Sequence, residues 1–179
     1  MRGCWLVLLL FFIRYGLLAL VNSSALPRAA HFAPMDKEEQ VPYLLYQAAS
    51  VLIPAILCFL PVRADSPVGF SGLVIFLAGT GLLAWSVVDF ARTPAGSISR
   101  KGVYRFCRHP MYIAYFLFFL GSALMASSWV LLALTMIFQL CAHRLILAEE
   151  RWCLTTYGQV YADYMHRTGR YFPRLQSNK

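Results

Sequence analysis

The sequence predicts an all-α integral membrane protein, a five-span helical bundle with a C-terminal helical hairpin and a cytoplasmic interfacial helix. Of the 179 residues, 59% are hydrophobic and only 13% are charged. Several apolar runs approach the length needed to cross about 30 Å of hydrocarbon. Because little chain remains outside these runs, residues 1–179 are expected to form a single domain, with three variable spans in 1–91 and the hairpin and tail in 92–179.

The charged residues and the cysteines exclude several classes of protein. A net charge of +8 in a soluble protein would suggest nucleic-acid binding, but here the basic residues lie in short loops and a tail beside apolar runs, where they set membrane orientation. Nucleic acid is therefore excluded as a partner. The five cysteines form no CxxC pair, and an odd number of them predicts reduced thiols with neither a disulfide framework nor a metal site.

The first three spans are predicted at residues 4–21, 43–60 and 68–91. Span one contains Arg14, and a charge at that depth is costly. Arg14 therefore either lines a functional cavity or snorkels and pairs locally, and its long flexible stem favours the second interpretation. Span two contains Pro54, which predicts a kink.

Spans four and five, predicted at residues 110–126 and 128–147, are separated only by Ser127. They are expected to form a tight antiparallel hairpin whose outer ends meet on one side of the membrane. Basic residues collect at both ends, so the positive-inside rule makes this side cytoplasmic. A signal peptide ending near VNSSA is an alternative for the first segment. Its cleavage would place the basic 92–109 stretch on the outer side of the membrane. The positive-inside rule disfavours that arrangement, so five retained spans are favoured.

The stretch YRFCRHPMYI leads into span four. Pro110 is expected in the first helical turn, where its missing N–H costs nothing. The free N–H groups of that turn, flanked by Arg105, Arg108 and His109, suit an anionic group such as a carboxylate or phosphate. The same residues are also typical of a signal that only fixes topology.

Two adjacent glutamates, Glu149 and Glu150, follow span five. Neighbouring side chains on a helix point about 100° apart, so the two cannot share a proton and must have separate roles. Carboxylates at a helix C-terminus would oppose the dipole, so the helix is expected to continue through them. The aromatic stripe beyond them, which includes Tyr157, Tyr161 and Tyr164, is interpreted mainly as a helix on the bilayer interface.

The hairpin brings both charged stretches to one recess, where Tyr104, His109, Tyr112 and one of the two glutamates can meet. Carboxylates and aromatic faces would surround a cation there, while the helix start and the arginines would hold an anion. A zwitterion that carries a sulfonium has both features.

The motifs of residues 97–174 are more specific together than singly. GVYRFCRHPMY, an apolar hairpin, EERWCLTTYGQVYADY and a closing FPR resemble the C-terminal half of the isoprenylcysteine carboxyl methyltransferase family and its phospholipid-methylating relatives. Residues 1–90 are similar to that family only as generic spans.

The resemblance implies a methyltransferase that uses S-adenosyl-L-methionine from the cytosol. It also implies a lipid-borne or small hydrophobic acceptor that enters from the bilayer, a prenylcysteine-type carboxylate being one candidate, and it indicates no protein partner. Glu149 matches a family glutamate near the substrate. The positions that match cofactor contacts of the family, all in the 92–179 hairpin and tail, are Ser97, Ile98, Ser99, Tyr104, His109, Pro110, Met111, Tyr112 and Glu150.

One position departs from the family pattern. The arginine that faces the substrate in the family stands four residues before the first glutamate, where this chain has Leu145. Arg144 lies one place earlier, which rotates it by about 100° on an ideal helix. Either a helix distortion restores Arg144 to a catalytic position, or this protein does not grip a substrate carboxylate in the family's way.

Two other classes of protein fit parts of the sequence. A membrane reductase related to the sterol reductases would use a nicotinamide cofactor with a similar terminal hairpin. A non-enzymatic membrane subunit or small-molecule carrier would use the basic residues only for topology. The soluble type of methyltransferase is excluded, because no glycine-rich loop follows a strand.

Overall fold

The computed structural model describes residues 2–174, and this part of the chain is helical, with two isolated β-bridges and no strand. Four helical segments are long and apolar enough to cross a membrane, which confirms the prediction of a helical integral membrane protein. They are Cys4–Ala29, Lys37–Phe59, Pro67–Ala91 and Trp129–Tyr157. The remaining predicted span is a shorter apolar helix, Pro110–Met125, so the count of five spans stays a prediction.

The first segment changes its helical type several times within one continuous path. It begins as α1 and widens into a π-helical stretch, a feature that is uncommon and frequently found at functional sites. The successive parts are α1 (Cys4–Phe11), the π-helix Phe12–Leu17, α2 (Leu18–Asn22), a 3₁₀ turn at Ser23–Ala25 and α3 (Leu26–Ala29).

The next helix, α4 (Gln40–Phe59), follows a 3₁₀ turn at Lys37–Glu39. Asp36 and Glu39 form a reciprocal capping box at this turn, in which the Asp36 N–H donates to Glu39 Oε2 at 3.0 Å. Such a box satisfies backbone N–H groups that have no partner inside the helix. Pro54 lies inside α4 and is buried, and α4 packs mainly against α7 (Trp129–Tyr157).

The closest helix pair joins α5 (Pro67–Ala91) and α6 (Pro110–Met125). Glycines permit this approach, as is common between helices in lipid. A Cβ atom on Gly121 of α6 would lie 2.4 Å from the Phe76 backbone nitrogen, and one on Gly79 of α5 would lie 2.6 Å from that of Phe118. The predicted hairpin partner of α6 was α7, but α6 has its larger contact with α5.

Residues 126–128 connect α6 to α7. Ser127 has a positive φ of 48°, and the Ser128 hydroxyl accepts a hydrogen bond from the Leu131 N–H at 3.3 Å. α7 then runs without a break to Tyr157, which confirms that the helix continues through Glu149 and Glu150. Gly158, with a φ of 54°, separates α7 from the short α8 (Gln159–Arg167).

Candidate active site

A cavity of about 290 Å³ lies where the starts and ends of several helices meet. We call it the polar cavity. Its wall comes from α3 and the loop after it, the loop after α5, the start of α6, the last turns of α7, and α8. The structure brings nine of the sequence-predicted site residues to this wall: Ser97, Ile98, Ser99, Tyr104, His109, Pro110, Met111, Tyr112 and Glu149.

The start of α6 is held in place from both sides. Pro110 occupies the first turn, as proline chemistry predicts. The loop before it is fixed to the C-terminal tail, because the Arg108 N–H donates to the Gly169 carbonyl at 3.0 Å. His109, which is 6% exposed, directs Nε2 toward Glu150 Oε1 at 3.2 Å and Nδ1 toward Glu149 Oε2 at 3.9 Å. The imidazole therefore lies between the two glutamates.

Glu149 presents its carboxylate to the polar cavity. Its side chain keeps 42% of its surface exposed, and the Tyr112 hydroxyl donates to Oε2 at 3.3 Å. No arginine or lysine within residues 2–174 forms an ion pair with it. Its negative charge is therefore available to a cation in the cavity.

Glu150 has a different environment, although it is the next residue. It is 3% exposed and is not part of the wall of the polar cavity. Arg108 donates to Oε1 from Nη2 at 2.7 Å and from Nε at 3.0 Å. Arg170 donates to Oε2 from Nη2 at 2.6 Å and from Nε at 3.1 Å. The family resemblance predicted Glu150 as a cofactor contact. The structure instead places it at the centre of an ion cluster, outside the wall of the polar cavity.

The Glu150 cluster joins three parts of the chain. Arg108 belongs to the loop before α6, Glu150 to α7 and Arg170 to the tail. Arg108 also donates from Nη1 to the carbonyls of Met165 and Thr168. Since His109 follows Arg108 directly, this cluster fixes the loop that carries the imidazole into the cavity.

Arg144 is not brought to the site. It is exposed and lines neither the polar cavity nor the second cavity described below. α7 is uninterrupted here, so no helix distortion turns Arg144 inward, and the position of the family arginine is filled by Leu145, which is 1% exposed. The expectation that a distortion restores Arg144 to a catalytic position is corrected by this geometry.

The tyrosines after the glutamates face the cavity. Tyr157, Tyr161 and Tyr164 line its wall, and Tyr161 and Tyr164 are only 3% and 7% exposed. The interpretation of these two side chains as a bilayer-interface stripe was therefore wrong. Gly158 gives the physical reason, because its positive φ redirects the chain so that α8 packs back on α7.

Burial favours the protonated form of these tyrosines. Burial raises the pKa of the Tyr104, Tyr161 and Tyr164 phenols, since low dielectric disfavours the phenolate. Tyr164 donates from its hydroxyl to the Tyr104 carbonyl at 2.6 Å. This bond attaches α8 to the loop before α6.

Sequence reasoning missed one wall of the cavity. Arg28, His31 and Phe32, from α3 and the loop after it, all line it. Arg28 donates from Nη2 to the Thr93 carbonyl at 2.9 Å, but its Nε is buried and has no hydrogen-bond partner among the residues that the structure describes. No pattern in the sequence indicated this residue.

An ion pair across the chain keeps this loop near α7. Arg151 donates from Nη1 to Glu39 Oε1 at 2.8 Å and from Nη2 to Asp36 Oδ2 at 2.9 Å. The charges of Asp36, Glu39 and Arg151 were visible in the sequence. Their pairing was not, because it joins residues more than 110 positions apart.

A second cavity of about 610 Å³ adjoins the first. We call it the apolar cavity, because it is lined mainly by hydrophobic side chains of α1, α4, α6 and α7, among them Leu10, Val51, Pro54 and Phe119. The two cavities share five wall residues: Arg14, Ala29, Phe32, Tyr46 and Tyr115. Arg14 thus lines a cavity, the alternative that the sequence made the less favoured one.

These features define a helical membrane protein in which a charged, tyrosine-lined cavity adjoins an apolar one. The family model for phospholipid methyltransferase matches residues 69–160, half of the chain, and the chain belongs to this family of membrane methyltransferases. The methyltransferase family inferred from the motifs of residues 97–174 is therefore confirmed.

Two curated relatives are similar to part of this chain. The cobalt-zinc-cadmium resistance protein CzcN of Cupriavidus metallidurans is 32% identical over 104 residues, which are 58% of this chain and 47% of that protein. The nickel-cobalt-cadmium resistance protein NccN of Alcaligenes xylosoxydans xylosoxydans is 27% identical over 103 residues, 58% of this chain and 48% of that protein. The chain spans about half the length of these relatives.

Proposed function

We propose that this protein is a membrane methyltransferase that uses S-adenosyl-L-methionine and acts on a lipid-borne or small hydrophobic acceptor, with its active site on the cytoplasmic side. The observation that carries the proposal is the geometry around Glu149. Its carboxylate, held by Tyr112 at 3.3 Å and lying beside His109, faces a tyrosine-lined cavity in a chain of a methyltransferase family.

The side chains of the polar cavity fit this methyl donor. The exposed Glu149 carboxylate and the tyrosine rings offer negative charge and aromatic faces to a sulfonium or an ammonium. The Nε of Arg28, which has no hydrogen-bond partner within residues 2–174, offers a donor to an anionic group such as a carboxylate. The wall therefore offers both a carboxylate and a guanidinium, which suits a zwitterion that carries a sulfonium and a carboxylate.

When bound, S-adenosyl-L-methionine supplies a methyl group on positive sulfur: the acceptor's lone pair forms the new bond while the carbon–sulfur bond breaks and its electron pair stays on sulfur. The protein then needs chiefly to align the reactants and exclude water. His109 and Tyr112 position Glu149 for this task. A carboxylate or thiolate acceptor needs no base, whereas an amine must lose a proton, which Glu149 or His109 can accept.

The apolar cavity supports a hydrophobic acceptor. It lies among membrane-spanning helices and shares a wall with the polar cavity, so a hydrocarbon chain in it would bring its head group to that shared wall. A prenylcysteine-type carboxylate, a phospholipid amine and a small hydrophobic thiol are the acceptors to compare.

The experiment measures transfer of radiolabelled methyl from S-adenosyl-L-methionine into a lipid extract and into those three kinds of acceptor. His109→Ala and Glu149→Ala are expected to abolish transfer while the protein still inserts in membranes. Arg63→Gln, an exposed site outside both cavities, is the control and should retain activity. Full activity in both cavity variants would refute the assignment, and titration against S-adenosylhomocysteine and NADPH would identify a reductase instead.

A further inference from the structure

Arg14 lies at the boundary between the two cavities. The residue lines the polar cavity and also the apolar one, and it belongs to the π-helical stretch Phe12–Leu17 inside the first membrane-spanning segment. Nη1 donates to Met111 Sδ at 3.7 Å and Nη2 donates to the Ala29 carbonyl. Both acceptors are neutral.

Arg14 has no direct ion-pair partner among the described residues. No carboxylate within residues 2–174 lies within ion-pair distance of it. Charged groups inside membrane segments are expensive and almost always face a bundle interior or cavity, where they pair with other groups or mark substrate pathways. Its two hydrogen bonds go to neutral atoms, so an anion in the cavity would give the guanidinium a direct ion-pair partner.

The position of Arg14 favours an anion on the acceptor over an anion on the methyl donor. The polar cavity already has a separate cation, Arg28, whose Nε donates no hydrogen bond to the part of the chain that the structure describes. Only Arg14 lines both cavities among the arginines of the described chain. An amphiphile whose hydrocarbon part fills the apolar cavity would bring its head group to this shared wall.

We propose that Arg14 binds an anionic head group, a carboxylate or a phosphate, on an acceptor whose hydrocarbon part occupies the apolar cavity. This inference rests on the proposed methyl transfer and adds the charge class of its substrate. Tyr46 and Tyr115, which share the same wall, can donate further hydrogen bonds to that head group.

The test uses the full chain purified in dodecyl maltoside and measures binding of three probes: dodecanoate, dodecyl phosphate and the neutral dodecanol. The two anions distinguish a carboxylate from a phosphate head group. Arg14→Gln is expected to weaken binding of the preferred anion at least about tenfold, since hydrogen bonds to charged groups are the strong ones. Dodecanol binding should not change, and Arg14→Lys should recover part of the anion preference. Arg63→Gln is the matched control and makes the same change in net charge.

S-adenosylhomocysteine is titrated in parallel to separate the two proposals. Unchanged affinity for it in Arg14→Gln, together with lost anion affinity, supports the acceptor subsite. An equal loss for S-adenosylhomocysteine would place Arg14 in the donor site and overturn the inference, as would unchanged anion binding. Failure of the unmodified protein to bind S-adenosylhomocysteine would count against the proposed function alone, because the anion probes do not depend on the donor. Size-exclusion profiles and thermal midpoints verify that each variant is folded.

Discussion

Replacing Glu150 with glutamine tests whether this residue is a structural centre or a cofactor ligand. The substitution removes a negative charge that Arg108 and Arg170 share and keeps nearly the same shape. The Glu150 and Arg108 side chains are only 4% and 7% exposed. Water therefore cannot solvate the Arg108 guanidinium once its carboxylate partner is removed. Glu150→Gln should therefore destabilise the fold as well as the site.

The expected loss of stability follows from the burial of the cluster. Removing one partner of a buried ion pair costs about 3–5 kcal/mol. The lower end applies here, because glutamine still offers one acceptor oxygen and Arg170 is 32% exposed. For a chain of this size each kcal/mol lowers the unfolding midpoint by roughly 2–4 °C. A loss of about 3 kcal/mol should therefore lower it by roughly 6–12 °C.

The assay is thermal unfolding in dodecyl maltoside, followed by intrinsic tryptophan fluorescence, with methyl transfer measured on the same preparations. Glu149→Gln is the matched control, since the same chemical change is made one residue away at a half-exposed carboxylate. This control should lose methyl transfer and keep its midpoint within about 2–4 °C, the effect of 1 kcal/mol.

Two results would refute this reasoning. If Glu150→Gln keeps its midpoint but loses affinity for S-adenosylhomocysteine, Glu150 is a cofactor ligand, as the family resemblance implies. If both variants lower the midpoint equally, the two glutamates do not have the separate roles that the structure gives them.

Two further predictions concern packing and a buried hydrogen bond. Gly121→Ala should cost about 1–3 kcal/mol by overpacking, because the added Cβ would lie 2.4 Å from a backbone nitrogen of α5. Thermal midpoints check this against Gly81→Ala, whose added Cβ would have no neighbour within 4 Å among the described residues. Tyr164→Phe should cost about 1–3 kcal/mol, because the Tyr104 carbonyl loses its buried donor, and faster proteolysis of the tail would report the loosened α8. An unchanged midpoint and unchanged proteolysis would contradict the second prediction.

The features that the sequence predicted well depend on local chemistry. Span three was expected at 68–91 and is found at Pro67–Ala91, because hydrophobicity and length suffice to find it. Pro110 starts α6 because its ring fixes φ and removes an N–H. The helix continues through Glu149 and Glu150 because carboxylates disfavour a helix end at that point.

The features that the sequence did not predict depend on contacts between distant segments. Glu149 and Glu150 are adjacent and chemically identical, and only their position relative to Arg108 and Arg170 distinguishes an exposed carboxylate from a buried one. Tyr161 and Tyr164 were interpreted mainly as bilayer-interface residues, whereas both line the polar cavity, beyond the change of direction at Gly158, whose φ is positive. A glycine before QVYADY was the one signal that could have indicated the turn.

Leu145 stands where the family resemblance places an arginine, and the neighbouring Arg144 is exposed and lines neither cavity. A buried leucine at this place on an unbroken helix leaves α7 with no cation facing the cavities, so an anionic acceptor would need a cation from another element. Arg14 of the first segment is the arginine that lines both cavities. Its place on a π-helical stretch explains why spacing alone could not predict it, since a wider helix turns its side chains by a different angle per residue than an α-helix does.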